Sequence, residues 1–206
     1  MTYASELRSP LSDEELMALF QRGNEEAFTQ LVRRYKDPLT NYVYRFLGEL
    51  DRANDVVQET FLRLYHYRHS YQRGLRFATW LFKVASNLTK TELRRDVWRR
   101  QHIVHPDAGR DDDEHGAFEF LDTESTPDVR VDNAMKVRLV QQALMQISAA
   151  YREVVILRDV QQMSYDEIAE ITGLEIGTVK SRINRGRAQL HKLLRHVIQA
   201  EGPVTR

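Results

Sequence analysis

The chain has 206 residues, 42% of them hydrophobic, with no cysteine and with 30 Lys/Arg balanced by 30 Asp/Glu. This length suits one large domain or two small ones. The lack of cysteine excludes disulfides and thiolate metal sites, and no stretch approaches the roughly 18 apolar residues of a membrane span. The opening MTYASELRSPLSDEELM has no basic segment followed by an apolar one, so a cytoplasmic protein without direct membrane insertion is expected. Gly and Pro are scarce, at 9 and 5, and apolar residues recur at helical spacing through most of the chain. Both point to an all-α fold.

In chain order, Ser12 and Glu15 form a capping box for a first helix that stops at Gly23. Asn24 caps a second helix, apolar at Ala27, Phe28, Leu31, Val32 and Tyr35. Pro38 is expected to break or kink it before Leu39–Leu47 continues to Gly48. A third helix, from Asp51 to about His66, is expected to bury Val56, Val57, Phe61 and Leu62, with Tyr65 beside them. A polar, basic, aromatic loop follows, HYRHSYQRGLR (66–76). Phe77–Arg100 reads as one long helix, apolar at Trp80, Leu81, Val84, Ala85 and Leu88. Residues 104–128 are acidic and without periodicity, the composition of a flexible linker. Helices resume near Val129–Ile147, Ala149–Arg158, Ser164–Thr172 and Ile176–Ile198.

The zero net charge hides strong segregation. Residues 68–100 hold nine Lys/Arg against two acids, net +7; residues 105–132 hold two Arg against ten acids, net −8; residues 176–196 hold six Lys/Arg and no acid. Two basic blocks flanking an acidic one suggest two nucleic-acid-facing modules and an acidic connector.

The second basic block follows a helix-turn-helix pattern. Ser164 and Glu167 cap a short helix. Ala169 is small enough for a close helix crossing, Gly173 permits a sharp left-handed turn, and Val179 anchors the next helix. Ile168, Leu174 and Ile183 complete a small core. Lys180, Ser181, Asn184 and Arg185 are left on or near the outer face, suited to base edges and phosphates. Three base contacts at about 2 kcal/mol each give a factor of roughly 10⁴ to 10⁵. A genome offers about 10⁶ competing sites or more. Such a helix needs a dimer partner, a second reading module or a tether.

The first basic block differs in kind. His66, Tyr67, His69, Tyr71, Arg73 and Arg76 precede FATWLFKVASNLTKTELRRDVWRR (77–100). Aromatics among cations suit single-stranded or distorted DNA, whose unstacked bases need a flat partner. Trp80 follows the apolar stripe and is expected in the core. Upstream, Asp55, Gln58 and Glu59 share one side of their helix by i, i+3, i+4 spacing.

Four stretches together make the chain resemble the bacterial sigma-70 family, in its extracytoplasmic-function (group 4) subfamily: EAFTQLVRRY (26–35), DVVQETFLRLY (55–65), FATWLFKVASNLTKTELRR (77–95) and IAEITGLEIGTVKSRINRGRAQL (168–190). They stand in the family's order, with an acidic linker before the last, and cover most of residues 15–195. The resemblance implies two small helical domains, 10–102 (region 2) and 129–199 (region 4), joined by a flexible acidic linker, 103–128. It implies an alternative sigma factor that directs core RNA polymerase to −35/−10 promoters, with no catalytic residue, cofactor or metal. Asp55, Gln58, Glu59 and Phe61 would dock on the coiled coil of the polymerase's largest subunit. Val129–Arg158 would help hold the second domain on the core enzyme, where the flap region is the expected contact. His69, Tyr71, Arg73, Arg76, Asn87, Lys90, Arg94 and Arg95 would read and open the −10 element. Thr178, Lys180, Ser181, Arg182, Asn184 and Arg185 would face the −35 element. An anti-sigma factor, often membrane-anchored in the family, is an expected partner. Glu175 departs from the Ser or Pro many members carry before the recognition helix; it suits the helix dipole but would repel a nearby phosphate.

Three other readings fit less well. A dimeric helix-turn-helix regulator needs neither the acidic helix nor the first basic block. A sigma-like scaffold that ignores promoters would not need the intact basic residues. An enzyme is disfavoured: His66/His69 and His102/His105 lack acidic partners in a recognisable pattern, and no HExxH or Gly-rich phosphate loop is present. The connector's acids, Asp111–Glu114 among them, could mimic nucleic acid in the polymerase channel.

Overall fold

The computed structural model describes residues 11–72, 74–102 and 127–200. Arg73 and the acidic connector with Asp111–Glu114 lie outside the described residues. Those described form helices and turns, with no strand among them.

The first unit packs four helices: α1 (Asp13–Gln21), α2 (Glu25–Leu47), α3 (Leu50–His66) and α4 (Phe77–His102). The Ser12–Glu15 capping box is complete, with Glu15 N donating to Ser12 Oγ at 3.2 Å and Ser12 N to Glu15 Oε2 at 2.8 Å. Asn24 caps α2 through Ala27 N at 3.0 Å, and Gly48 ends it with φ 86°.

Pro38 does not interrupt α2, contrary to the expected break. Leu31 precedes it on the buried face, and Leu39, Tyr42, Val43 and Phe46 follow. Burying such side chains contributes about 1.5–3 kcal/mol each. Together they outweigh the roughly 3 kcal/mol of one interior proline.

The loop between α3 and α4 is fastened to α1. Gln21 Nε2 donates to Arg68 O at 2.8 Å and Tyr71 O at 3.0 Å, and Phe77 N donates to Glu14 Oε1 at 3.0 Å.

The second unit comprises α5 (Pro127–Gln146), α6 (Ala149–Val155), α7 (Tyr165–Thr172) and α8 (Ile176–Ala200). A π-helical turn over Ile156–Val160 prolongs α6. Gly173 ends α7 with φ 72°, and its N–H donates to Ala169 O at 2.8 Å. Ile168, Val179 and Ile183 are fully buried and Leu174 packs against them, as the helix-turn-helix pattern predicts. At Gly186, α8 crosses α6 so closely that a Cβ would lie 2.7 Å from Val155 Cγ2.

The two units pack on each other. Arg152 of α6 donates to Phe46 O at 2.5 Å, Met145 O at 3.0 Å and Ile147 O at 3.1 Å. Gln141 of α5 donates to Tyr44 O and Arg45 O, both at 3.3 Å. Side chains of the second unit thus bind carbonyls in the last turn of α2, where Tyr44 O already accepts from Gly48 N at 2.7 Å.

Candidate protein and nucleic-acid interfaces

The face of α3. Asp55 and Gln58 are exposed, and Glu59 is open to solvent while accepting from Arg63 Nε at 2.8 Å. Phe61 is 9% exposed. It lies six residues after Asp55, on the core side, where the apolar pattern of the helix placed it. Leu62, read as buried, is 45% exposed. It lies seven residues after Asp55, two helical turns along the same face. The exposed surface is therefore Asp55, Gln58, Glu59 and Leu62. Helical spacing alone could have placed Leu62 there. The partial apolar character of the stripe outvoted it.

The loop and α4. His69 and Asn87 are exposed. Tyr71, expected to read DNA, is a core residue. Its ring packs edge-on against Phe77 at 5.9 Å and Trp80 at 5.7 Å, and its hydroxyl donates to Leu75 O. Burial, then the nearby Glu14 and Asp13, raise its pKa, which keeps it a neutral donor. Tyr67, 64% exposed, is the aromatic the loop presents instead. Trp80, expected in the core, is half-buried and packs against it.

Arg94 and Arg95 are exposed. Arg95 Nη1 lies 3.8 Å from Glu92. Beyond them Trp98 is 59% exposed and stacks on His102 at 4.7 Å. Thr91, Arg94, Arg95 and Arg99 line a shallow recess with Trp98. The tryptophan falls on the helix's basic end, and that position was its only sequence signal.

Arg76 and Lys90 are occupied. Arg76 Nη1 meets Glu167 Oε1 at 2.5 Å, and Lys90 Nζ meets Glu153 Oε1 at 2.9 Å. Ser86 Oγ also donates to Glu153, at 2.6 Å. Burial, reinforced by the Glu153 charge, holds the fully buried Tyr42 hydroxyl well above its ordinary pKa. Burial alone would raise the Glu167 carboxyl, but hydrogen bonds from Ser164 and Arg76 outweigh it and hold its pKa below the ordinary 4.5.

The recognition helix. On α8, Lys180, Ser181, Asn184 and Arg185 are exposed, an outward strip opposite buried Val179 and Ile183. Lys180 Nζ lies 5.6 Å from the Tyr165 ring centroid. Thr178 is half-buried, and its carbonyl accepts from Ser181 Oγ at 3.0 Å. Arg182 departs from the strip. It is half-buried and lines a groove with Lys90, Arg94 and Glu153. Two residues past Lys180 on a helix, it points to the side, towards α4. Arg187 is tied to Asp159. No cluster of metal-ligating side chains occurs among the described residues, and none of their helices is long and apolar enough to cross a membrane.

Comparison with known proteins adds relatives to this geometry. The family model "Sigma-70 region 2" matches residues 31–99, and "Sigma-70, region 4" matches residues 138–190. The chain is similar to the ECF RNA polymerase sigma factor SigW of Bacillus subtilis, with 32% identity over 85% of this chain and 92% of the relative. It is 30% identical to the ECF RNA polymerase sigma-E factor of Haemophilus influenzae, over 87% and 94%. Among solved structures, CnrH in complex with the cytosolic domain of CnrY superposes with a TM-score of 0.64 at 28% identity, covering 89% of this chain and 97% of that one. The sigma factor RpoE in complex with the anti-sigma factor NepR, from Bartonella quintana, gives 0.60 at 26%, over 82% and 96%.

Proposed function

The chain belongs to the extracytoplasmic-function group of the sigma-70 family, transcription initiation factors rather than enzymes, and from that premise we propose how its surfaces divide the work. The acidic face of α3 (Asp55, Gln58, Glu59, Leu62) docks on the coiled coil of the largest polymerase subunit, with Leu62 as the apolar anchor. Phe61 holds that face in place from the core. The second unit adds a contact to the flap region. Helix α4 and its loop read the −10 element through His69, Arg76, Asn87, Lys90, Arg94 and Arg95. Tyr67 and Trp98 are the exposed rings on which unstacked bases can lie. The outward strip of α8 reads the −35 element. The protein acts in the cytoplasm under an anti-sigma factor; CnrH and RpoE, solved with CnrY and NepR, support that part of the reading.

The observation that carries this is the pairing of an exposed acidic face on α3 with exposed basic strips on two separate helices. A stand-alone regulator needs only one such strip. The test is binding of the full chain to bacterial core RNA polymerase, wild type against Asp55→Lys/Glu59→Lys. Both positions are exposed, so the fold is retained. Like charges brought together across an interface cost several kcal/mol, and about 3 kcal/mol is a hundredfold. Wild-type affinity in the variant would sink the docking assignment.

A further inference from the structure

The outward strip of α8 carries two kinds of side chain. Lys180 and Arg185 are cations, whereas Ser181 and Asn184 are polar and uncharged. A cation is drawn to phosphates whatever the sequence beneath it. An uncharged side chain adds little affinity unless it meets a base edge. Of the two, Ser181 is partly engaged, its Oγ donating to Thr178 O at 3.0 Å, and a hydroxyl serves as donor or acceptor to any base. Asn184 is exposed, and its amide has no partner among the described residues.

The backbone at Asn184 is fixed on both sides. Ile183 before it is fully buried. Gly186, two residues on, lies at the crossing with α6, where a Cβ would come within 3.3 Å of Tyr151 Cβ. The side chain is short, so the helix itself places the amide, as directional readout requires. Gly177, seven residues earlier and two turns along the same face, is exposed, and a Cβ there would meet nothing within 4 Å. No neighbour in the free chain requires glycine at that point. Its missing side chain lets the amino end of α8 approach a ligand closely.

The amide group decides which base. In the major groove adenine alone sets an acceptor, N7, beside a donor, N6–H, and a carboxamide presents the complementary donor and acceptor. Guanine shows two acceptors, one of which would face the amide oxygen. Thymine shows an acceptor beside its methyl group, and cytosine a donor alone.

We propose that Asn184 is the specificity-determining side chain of α8, bonded bidentately to N6 and N7 of an adenine in the −35 element, while Lys180 and Arg185 beside it hold phosphates. The proposal rests on the assignment of α8 to that element and adds the base it selects. The adenine contributes affinity without adding salt dependence, because Asn184 neutralises no phosphate.

The test uses the full chain in complex with bacterial core polymerase. A pool of random-sequence duplexes is selected for binding, and the retained sequences are aligned for wild type, Asn184→Ala and Asn184→Arg. In the wild type one position of the upstream element should favour adenine by about tenfold to a hundredfold, the range of a good bidentate pair. Asn184→Ala should level the four bases at that position alone. It should weaken binding to the selected duplex by the same factor and leave the salt slope unchanged. Asn184→Arg should move the preference to guanine, whose O6 and N7 accept from a guanidinium. The position is exposed, and alanine and arginine are both better helix formers than asparagine, so the fold is retained. The proposal is overturned if Asn184→Ala leaves the element unchanged, levels a position other than an adenine or alters the salt slope, or if Asn184→Arg keeps the adenine. Lys180→Ala/Arg185→Ala tests the assignment of α8 separately. Undiminished retention of the upstream element in that variant would remove the assignment, and the proposal with it.

Discussion

Helices α4 and α8 are both long, both basic and both anchored by buried apolar residues, yet acids of the other unit hold part of the DNA-assigned set at α4 while the outward strip of α8 stays open. On α8, Lys180, Asn184 and Arg185 face outward from the packed structure. On α4 and the turn before it, Lys90 and Arg76 are held by acids of the other unit. Charge composition predicts where nucleic acid could bind. Availability depends on which carboxylates the fold carries into reach.

The largest effect should show that the helices are equally well anchored. Leu81 in α4 and Ile183 in α8 are fully buried. Leu81→Ala and Ile183→Ala should each cost about 2–5 kcal/mol, read from urea denaturation. A loss below 1 kcal/mol for either would mean that its helix is held by something other than its apolar face.

Gly186 sharpens the contrast, because α8 has a close crossing on which its orientation depends. Gly186→Ala places a methyl 2.7 Å from Val155 Cγ2 and 3.3 Å from Tyr151 Cβ. Overpacking of this kind costs about 1–3 kcal/mol, and the outward strip should turn with the helix, so binding of −35 DNA should weaken as well. Stability and binding both at wild-type level would show that α6 and α8 are free to separate there.

The cations themselves come next. For the free chain on duplex DNA, neutralising about four phosphates through α8 gives a slope of log affinity against log salt near −3.6. Arg185→Ala should reduce that slope by about 0.9. Arg76→Ala should leave it almost unchanged, since that guanidinium is engaged by Glu167, and should alter stability by less than about 1 kcal/mol because its side chain is 75% exposed. Equal slopes for the two variants would erase the distinction between the helices.

The smallest effect is a pH dependence. Glu167 has a lowered pKa in the folded chain, so the folded state binds fewer protons than the unfolded state near and below pH 4.5. The stabilisation from its hydrogen bonds is complete above the unfolded value and drains away as pH falls through the lower folded value. Glu167→Gln should flatten the stability curve in that acidic window and leave the curve near neutrality parallel to wild type.

Much of the architecture was legible before any coordinates. The capping boxes at Ser12 and Ser164, the left-handed turn at Gly173 and the buried set Ile168, Val179 and Ile183 all emerged as read. Pro38 did not, because a rule about one residue was outweighed by the buried face running through it. Tyr71 and Leu62 were misplaced for a related reason. An aromatic in a polar loop reads as exposed until Phe77 and Trp80 are brought beside it. An apolar residue within a stripe reads as buried until the width of the contacting surface is known.

What the amino-acid sequence determined by itself is local or compositional. Caps and turns close over three or four residues, helical faces repeat every 3.6, and charge blocks need only counting. The sigma-70 motifs, legible in the same way, carried the family. The tertiary structure decided which surfaces are free. Ser86 finds Glu153 across 67 positions and Arg76 finds Glu167 across 91. No local periodicity reports such encounters, because they depend on how two buried faces meet, and burial is a property of the whole packed chain.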